Sequence, residues 1–382
     1  MTIVPGSPEE LAQCMADAAA AKQRITLLGH STKGRMAGFI APSEVTISTA
    51  GLNQVLEYEP RDLTISVGAG ITYCELSGIL AEHRQMIPLD PPFAERTTLS
   101  SRATMGGIVA ANTSGPRRRL YGSARDMVIG MTFATLEGKL IRTGGMVVKN
   151  VAGLDMGKLM IGSFGTLAAI ATLNFRLYPM PAGTRTFVQD FERIADVMAA
   201  RDVVLKSRLQ PAAIDILKAA GNYRLAIQAG GSPAVLDRYT RELAGMRAME
   251  GDDEAALWRD VREYTPQFLR AHPEGAVLRV SSVLSDVGRV LEGFPPQAVA
   301  RAGSGVCYGY FEHAPDVNGA LLNSAAGASV VEFAPPDFRE QAGLKNGNLW
   351  PRPGNDFAMM KKIKEMFDPQ GLLNRGRLYG RI

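Results

Sequence analysis

Behind Ser7-Pro8-Glu9-Glu10 the apolar residues Leu11, Cys14, Met15 and Ala18 recur at three- and four-residue spacing. A serine followed by proline and two glutamates marks a helix start, so an amphipathic helix is predicted there. Short apolar runs at 24–28, 45–49 and 63–67 read as strands. Thr72-Tyr73-Cys74-Glu75 repeats the capping pattern, and Leu76, Ile79, Leu80 and His83 mark one face of a second helix, which makes His83 a packing residue. The opening stretch is therefore helix, strand, glycine loop, strand, strand, helix: a small α+β unit.

Farther along, the pattern predicts a short helix over 104–111 and a strand over 129–136. Glu137-Gly138 is a hairpin turn before a strand at 139–143. A helix at 151–160 and a strand at 167–177 follow. Pro179-Met180-Pro181-Ala182-Gly183 marks a boundary, past which the glycine motifs thin out. The region 184–340 alternates strands (186–191, 212–217, 225–228, 277–283, 307–311) with amphipathic helices (194–205, 235–246, 287–294). It reads as an α+β domain built around an antiparallel sheet. A last helix over 356–367 stops at Asp368-Pro369-Gln370-Gly371.

Composition narrows the class. With 382 residues, 46% hydrophobic and 21% charged, the chain is an ordinary soluble globular protein, long enough for two domains. The net charge of +4 is mild, and Arg117-Arg118-Arg119 is the one basic cluster, which argues against a nucleic-acid partner. Cys14, Cys74 and Cys307 form no C-x-x-C pair, so neither an iron–sulfur cluster nor a structural zinc is expected, and sparse cysteines fit a reducing cytoplasm. The N-terminus has no signal-peptide pattern, and no apolar run reaches the roughly 20 residues of a membrane span. His30, His83, His272 and His313 lie scattered, without metal-ligand spacing.

Candidate chemistry concentrates in 98–172. Three glycine-centred turns crowd it: Ala103-Thr104-Met105-Gly106-Gly107, Asn112-Thr113-Ser114-Gly115-Pro116-Arg117 and Tyr121-Gly122-Ser123-Ala124-Arg125-Asp126. Lys149-Asn150-Val151-Ala152-Gly153 and Gly162-Ser163-Phe164-Gly165-Thr166-Leu167 follow. Glycines at this density let backbone N–H groups approach a ligand with no Cβ in the way. An anionic, extended ligand suits such a surface, and the stretch reads as a flavin dinucleotide site. Asn112 and Ser114 offer hydrogen bonds beside Gly115, and Arg125-Asp126 reads as an ion pair beneath the loops. Gly29-His30-Ser31-Thr32-Lys33-Gly34 follows a strand directly. It is neither a P-loop nor a G-x-G-x-x-G turn, yet Ser31 and Thr32 suit a pyrophosphate; the alternative is a plain connecting loop. His30 is either a polar loop residue or a covalent flavin anchor. Lys149, Asp155 and Lys158 read as a solvated helix face.

These motifs resemble the FAD-binding domain of the vanillyl-alcohol oxidase / p-cresol methylhydroxylase family. Val147-Val148-Lys149-Asn150-Val151-Ala152-Gly153-Leu154-Asp155 and Leu373-Asn374-Arg375-Gly376-Arg377 narrow the resemblance to the FAD-binding (E) subunits of bacterial glycolate oxidases. It covers nearly all of 1–180 and 356–382 and is thin between them. It implies an α+β fold: a two-subdomain PCMH-type FAD-binding domain (1–180), an α+β cap domain with an antiparallel sheet (184–340), and a C-terminal segment (341–382) returning to the FAD domain. The cofactor contacts it implies are Gly29, His30, Ser31, Thr32 and Lys33 at the pyrophosphate, and Pro91 near the flavin. Thr104, Gly106, Gly107, Asn112, Ser114, Gly115 and Arg125 form a second set, with Ile170 at the adenine end and Asn374 in the returning turn. Departures are informative. Ser31 stands where the family's covalent histidine would follow two glycines, so FAD is expected to be non-covalent. Phe164 replaces an acidic residue, and Arg375 replaces a proline. The Gly-Glu-His-Gly segment of related 2-hydroxy-acid dehydrogenases is missing.

Three functions stay open at this level. The first is an FAD-binding subunit of a glycolate-to-glyoxylate oxidase with an electron-transfer or supporting role. It would work with a catalytic flavoprotein sister subunit and an iron–sulfur subunit, in the cytoplasm and at the inner membrane face through those partners. The second is a stand-alone dehydrogenase for D-lactate or another small 2-hydroxy acid, which would need an arginine such as Arg270 or Arg279 for the substrate carboxylate. The third is a flavin-free assembly scaffold. No residue presents itself as a catalytic base.

Overall fold

The computed structural model describes residues 1–94, 102–146, 155–317, 327–336, 338 and 355–380. In chain order the first elements are β1 (Thr2–Ile3), α1 (Pro8–Ala20), β2 (Ile25–Leu28), β3 (Val45–Ser48), β4 (Val55–Glu59), β5 (Thr64–Gly68), α2 (Tyr73–Glu82) and β6 (Gln85–Met86). Then come α3 (Met105–Ala111), α4 (Arg118–Tyr121), α5 (Ala124–Met127), β7 (Val128–Ala134), β8 (Leu140–Gly144), α6 (Gly157–Met160), β9 (Ala169–Arg176) and β10 (Tyr178–Pro179). Strands β1, β3 and β2 form a three-stranded parallel sheet. Strands β4, β5, β9, β7 and β8 form a five-stranded antiparallel sheet in that order. Leu11 and Met15 of α1 pack with Ile25, Ile47 and Ala169, so one helix face joins the two sheets. The capping signals act as read. Ser7 Oγ accepts from Glu10 N at 3.1 Å, and Thr72 and Glu75 form a reciprocal capping box.

The remaining elements are β11 (Gly183–Phe191), α7 (Ile194–Lys206), β12 (Ala213–Ala219), β13 (Asn222–Gly231), α8 (Pro233–Glu242), β14 (Arg247–Met249), α9 (Gly251–Ala271), β15 (Ala276–Ser282), α10 (Val287–Glu292), β16 (Ala298–Arg301), β17 (Val306–Phe311), β18 (Gly327–Phe333) and α11 (Asn355–Phe367). Strands β11 to β18 make one eight-stranded antiparallel sheet, ordered β14-β11-β13-β12-β16-β17-β15-β18. One face carries α7, α8 and α10 over Ile214, Ile216, Leu225, Leu278 and Val280. Helix α9 crosses toward the N-terminal half. Trp258 and Val261 pack on Val188 and Ala226, and Glu263, only 4% exposed, accepts from Phe93 N (3.2 Å) and Ala94 N (3.0 Å). A single carboxylate on α9 thus ties down the loop after β6.

Several sequence expectations change. The pattern missed β4, β14, β16, β18 and the whole of α9. Edge strand β4 is mostly exposed and carries charge, so it lacks an apolar alternation. Pro266 inside α9 disguises a 21-residue helix. His83 is exposed at the end of α2 and meets Tyr58 edge-on at 5.2 Å; it is not a packing residue. The helix expected over 151–160 shows only α6 among the described residues, and the 149–153 motif lies outside them.

The C-terminal segment closes the fold. Leu373 bridges Ile25 in parallel, with Ile25 N donating to Leu372 O (2.9 Å) and Asn374 N to Ile25 O (3.0 Å). Lys364 Nζ donates to Asp368 Oδ2 (2.6 Å) and Thr166 O (2.8 Å), and Asp368 accepts from Leu372 N and Leu373 N, both at 2.8 Å. Asp368→Ala leaves a buried ammonium without its counter-charge and two amides without their acceptor. We expect a loss of about 3–5 kcal/mol in urea unfolding, with bound cofactor released before the global transition.

Candidate functional site

Strand β2 runs straight into the first recess, a cleft of about 750 Å³ with its open mouth included. Distant segments line it, among them Gly29 to Gly34, the start of α3 (Thr104, Gly106, Gly107), Phe164, Gly165 and Ile170 around β9, and Asn374 with Arg377. The cleft therefore gathers Gly29, His30, Ser31, Thr32, Lys33, Thr104, Gly106, Gly107, Ile170 and Asn374 in one place. A second recess of about 1210 Å³ holds Asn112, Ser114 and Gly115 and shares Ala111 and Phe164 with the first. Pro91 and Arg125 line neither. Pro91 is buried in its loop, and its neighbour Pro92 reaches the second recess. Arg125 is exposed on α5, and Asp126 turns to Ser123 N (2.8 Å) and Oγ (3.0 Å) in a capping box. The ion pair expected beneath the loops is replaced by that cap.

The glycines work differently from expectation at three positions. A Cβ on Gly29 would lie 2.3 Å from Thr104 Oγ1, one on Gly106 2.8 Å from Ala69 Cβ, and one on Gly115 2.3 Å from Asp90 O. These residues let protein segments pack on each other, which brings the loops together. Gly107 is open: among the described residues its Cβ would meet only the Thr104 hydroxyl, at 3.1 Å. Thr104 itself caps α3, accepting from Gly107 N at 3.3 Å.

Besides Arg377, the cationic side chain in the cleft is Lys33. Its side chain is buried, with Nζ lacking a hydrogen-bond partner among the described residues and lying 5.8 Å from the Phe93 ring centroid. Burial lowers its amine to about 8, against a smaller opposing pull from Glu263. A buried amine without a partner suits an anionic ligand group. His30 Nδ1 donates to Arg102 O (3.1 Å). Arg377 Nη1 donates to the carbonyls of Gly34 (3.1 Å), Met36 (2.5 Å) and Gly38 (2.8 Å), so the C-terminal segment grips the loop from behind.

The second recess is cationic. Arg118, Arg262, Arg279 and Arg301 line it with Asp90, Tyr308 and Glu332. Arg117 holds Asp90 through Nε, at 3.0 and 2.8 Å from the two carboxylate oxygens. Arg301 pairs with Asp215, which is fully buried; burial pushes that carboxyl up, and Arg301 opposes it. Arg279 Nε lies 3.1 Å from Glu332 Oε1. Burial pushes the Tyr308 phenol up to about 12. Of the two arginines expected for a carboxylate, Arg279 lines this recess, whereas Arg270 is exposed beside a separate shallow one with Ser31 and Thr32. Sequence reading missed Arg262, Arg301, Tyr308 and Glu332. The polar Arg279 within Val277-Leu278-Arg279-Val280 was the available signal. Among the described residues no group of three or more His, Cys, Asp or Glu is placed to hold a metal.

The comparisons with known proteins meet this geometry. Residues 1–144 match the FAD binding domain, and residues 351–378 match the C-terminal domain of FAD linked oxidases. The chain thus carries an FAD-binding domain and is an FAD-dependent oxidoreductase. As such it is 28% identical over 86% of its length to the glycolate oxidase subunit GlcE of Escherichia coli, covering 85% of that subunit. It is 26% identical to the glycolate oxidase subunit GlcD of Bacillus subtilis and 29% identical to a D-lactate dehydrogenase of Anaerostipes hadrus, spanning 44% and 35% of those longer proteins. Its fold is shared with an alkyldihydroxyacetonephosphate synthase structure, at TM-score 0.67 and 18% identity, over 98% of this chain and 76% of that one. The flavin-free scaffold is thereby set aside, and the cofactor is FAD.

The cleft fits that cofactor, since the buried Lys33 amine lacks a hydrogen-bond partner among the described residues and suits a pyrophosphate. The charged amine favours a pyrophosphate, so FAD affinity is expected to hold steady below pH 8 and to weaken as pH rises past it. Lys33→Met is expected to weaken FAD binding about 10- to 100-fold and to remove that pH dependence. Titrating the FAD-depleted chain with FAD, followed by flavin fluorescence, measures both.

Proposed function

We propose that the chain is the FAD-binding subunit of a 2-hydroxy-acid oxidoreductase complex that takes glycolate to glyoxylate. The observation that carries this reading is the juxtaposition of the two recesses. A cleft suited to a dinucleotide shares Ala111 and Phe164 with an arginine-lined recess suited to a small carboxylate. The likeness to GlcE along 85% of that subunit supports it, as do relatives named for glycolate and D-lactate. Gly29 to Lys33, Thr104, Gly106, Gly107, Ile170 and Asn374 would hold the nucleotide, and Asn112, Ser114 and Gly115 would face the ring end. FAD supplies the two-electron acceptor when bound. The chain's own residues place the substrate carboxylate against guanidinium groups and shield the pair from water. A sister flavoprotein subunit and an iron–sulfur subunit would complete the complex in the cytoplasm, with contact to the inner membrane face through them. No helix among the described residues is long and apolar enough to cross a membrane.

The arginine recess also favours a second reading, in which this chain oxidises a 2-hydroxy acid itself. Arg279 is then the cation for the substrate carboxylate. Purification from the native host is expected to yield bound FAD together with two partner chains. Arg279→Met is expected to raise KM for glycolate about 10-fold or more with flavin content unchanged. Substrate kinetics unaffected by that change would remove the recess from the reaction and leave the FAD-binding reading standing.

A further inference from the structure

The second recess presents two carboxylates, Asp90 and Glu332. Arg117 grips both oxygens of Asp90 with its side chain and adds a backbone N–H (3.2 Å), so that group is committed. Glu332 is different. Val277 pairs with Phe333 and Leu278 with Val331, which leaves Glu332 as the extra residue of a β-bulge. A bulge re-aims its side chain and is common beside active sites. Here it delivers a carboxylate that is 8% exposed to the recess wall, 3.1 Å from Arg279 Nε.

The charged and titratable groups that act on Glu332 come from every packed element. Arg279 projects from β15, Arg301 from β16 and Tyr308 from β17, while Tyr379 of the C-terminal segment, with Arg35 near it, closes the other side. Burial makes Glu332 hold a proton more readily than an exposed carboxyl does, and the two arginines oppose that. Tyr308, with its phenol near 12, serves as a donor and not as a base near neutrality.

We propose that Glu332 is the catalytic base of this chain, taking the hydroxyl proton of a 2-hydroxy acid whose carboxylate rests on Arg279. The proposal rests on the second reading above. In this step the substrate O–H bond breaks and its proton bonds to a Glu332 oxygen. The Cα–H bond breaks with hydrogen and its electron pair passing together, as hydride, to oxidised FAD, and the C–O single bond becomes C=O. The hydroxy acid is oxidised, the flavin is reduced, and the proton later leaves Glu332 for solvent.

The test uses the FAD-loaded full chain as wild type, Glu332→Gln and Glu332→Asp. Glutamine keeps an oxygen for Arg279. With glycolate and an artificial electron acceptor, the glutamine variant is expected to lose about 100-fold or more in kcat, with KM and flavin absorbance nearly unchanged. The aspartate variant should retain more activity than the glutamine variant. A second measurement needs no turnover: glyoxylate binding by calorimetry in buffers of different ionisation enthalpy. The wild type should take up a proton as the 2-oxo acid binds beside Glu332; the glutamine variant should bind at least as tightly without proton uptake. Glutamine turnover within threefold of wild type overturns the proposal, as does joint loss of flavin or glyoxylate binding. Activity found only in the complex and insensitive to Glu332→Gln there also overturns it, and leaves the subunit reading intact. A chain that binds FAD but oxidises no 2-hydroxy acid, alone or in complex, overturns both.

Discussion

One buried amide holds the two recesses in place. Asn374 is 1% exposed, and its side chain accepts from Leu27 N (2.7 Å) and donates to Leu27 O (3.0 Å) and Phe164 O (2.8 Å). Leu27 lies 347 positions away along the chain. Strand β2 is an edge of its sheet, and Asn374 satisfies the backbone groups that this edge would otherwise leave unpaired. The left-handed backbone at Asn374 (φ 42°) is one that asparagine tolerates better than most residues. Each group left unpaired by its removal would cost about 1–3 kcal/mol. The constraint is therefore geometric as well as energetic. It fixes where β2 ends, and so where the loop of Ser31 and Lys33 begins.

From that anchor the remaining lining follows by close packing. Gly38 and Gly376 approach each other so tightly that a Cβ on Gly38 would lie 2.9 Å from Gly376 O. Arg377 then collects three carbonyls of the 34–38 loop. Desolvation brings its guanidinium down to about 10, and it stays charged at neutral pH. The eight-stranded sheet is joined to the same loop, since Ala37 N donates to Glu332 O (2.8 Å) and Met36 bridges Phe333. The strand that carries the bulged carboxylate is thus bonded to the loop that carries the buried amine. The two recesses form one mechanical unit, and a shift in either is felt by the other.

How much of this was legible depended on range. Capped helices, hairpin turns and the glycine loops were readable because each is decided within a few residues: Ser7 and Thr72 cap their helices, and Gly138 turns its hairpin. The cleft residues were readable as a set because glycine density marks where segments must approach. The meaning of individual glycines was not readable, because Gly29 and Gly115 answer to Thr104 and Asp90, which spacing alone does not connect to them. The arginine recess was hidden for the same reason. Arg262, Arg279, Arg301 and Glu332 sit on four elements whose adjacency is a matter of sheet order, and the bulge at Glu332 has no local signature. Helix α9 was lost to a proline that the packed helix accommodates.

Phe164 shows why a departure from a family pattern deserves a physical reading. The resemblance implies an acidic residue here, whereas the structure places an aromatic ring, its backbone held by Ala110 O (2.8 Å) on one side and by the Asn374 amide on the other. The residue is 9% exposed in the wall common to both recesses. A carboxylate in that wall would border both the recess of the Lys33 amine and the recess of the arginines. It would compete for cations that an anionic ligand on either side requires, in a place where burial strengthens every charge interaction. An apolar ring adds no charge to the wall and keeps water from it. An apolar ring is thus coherent with a wall whose residues line both recesses.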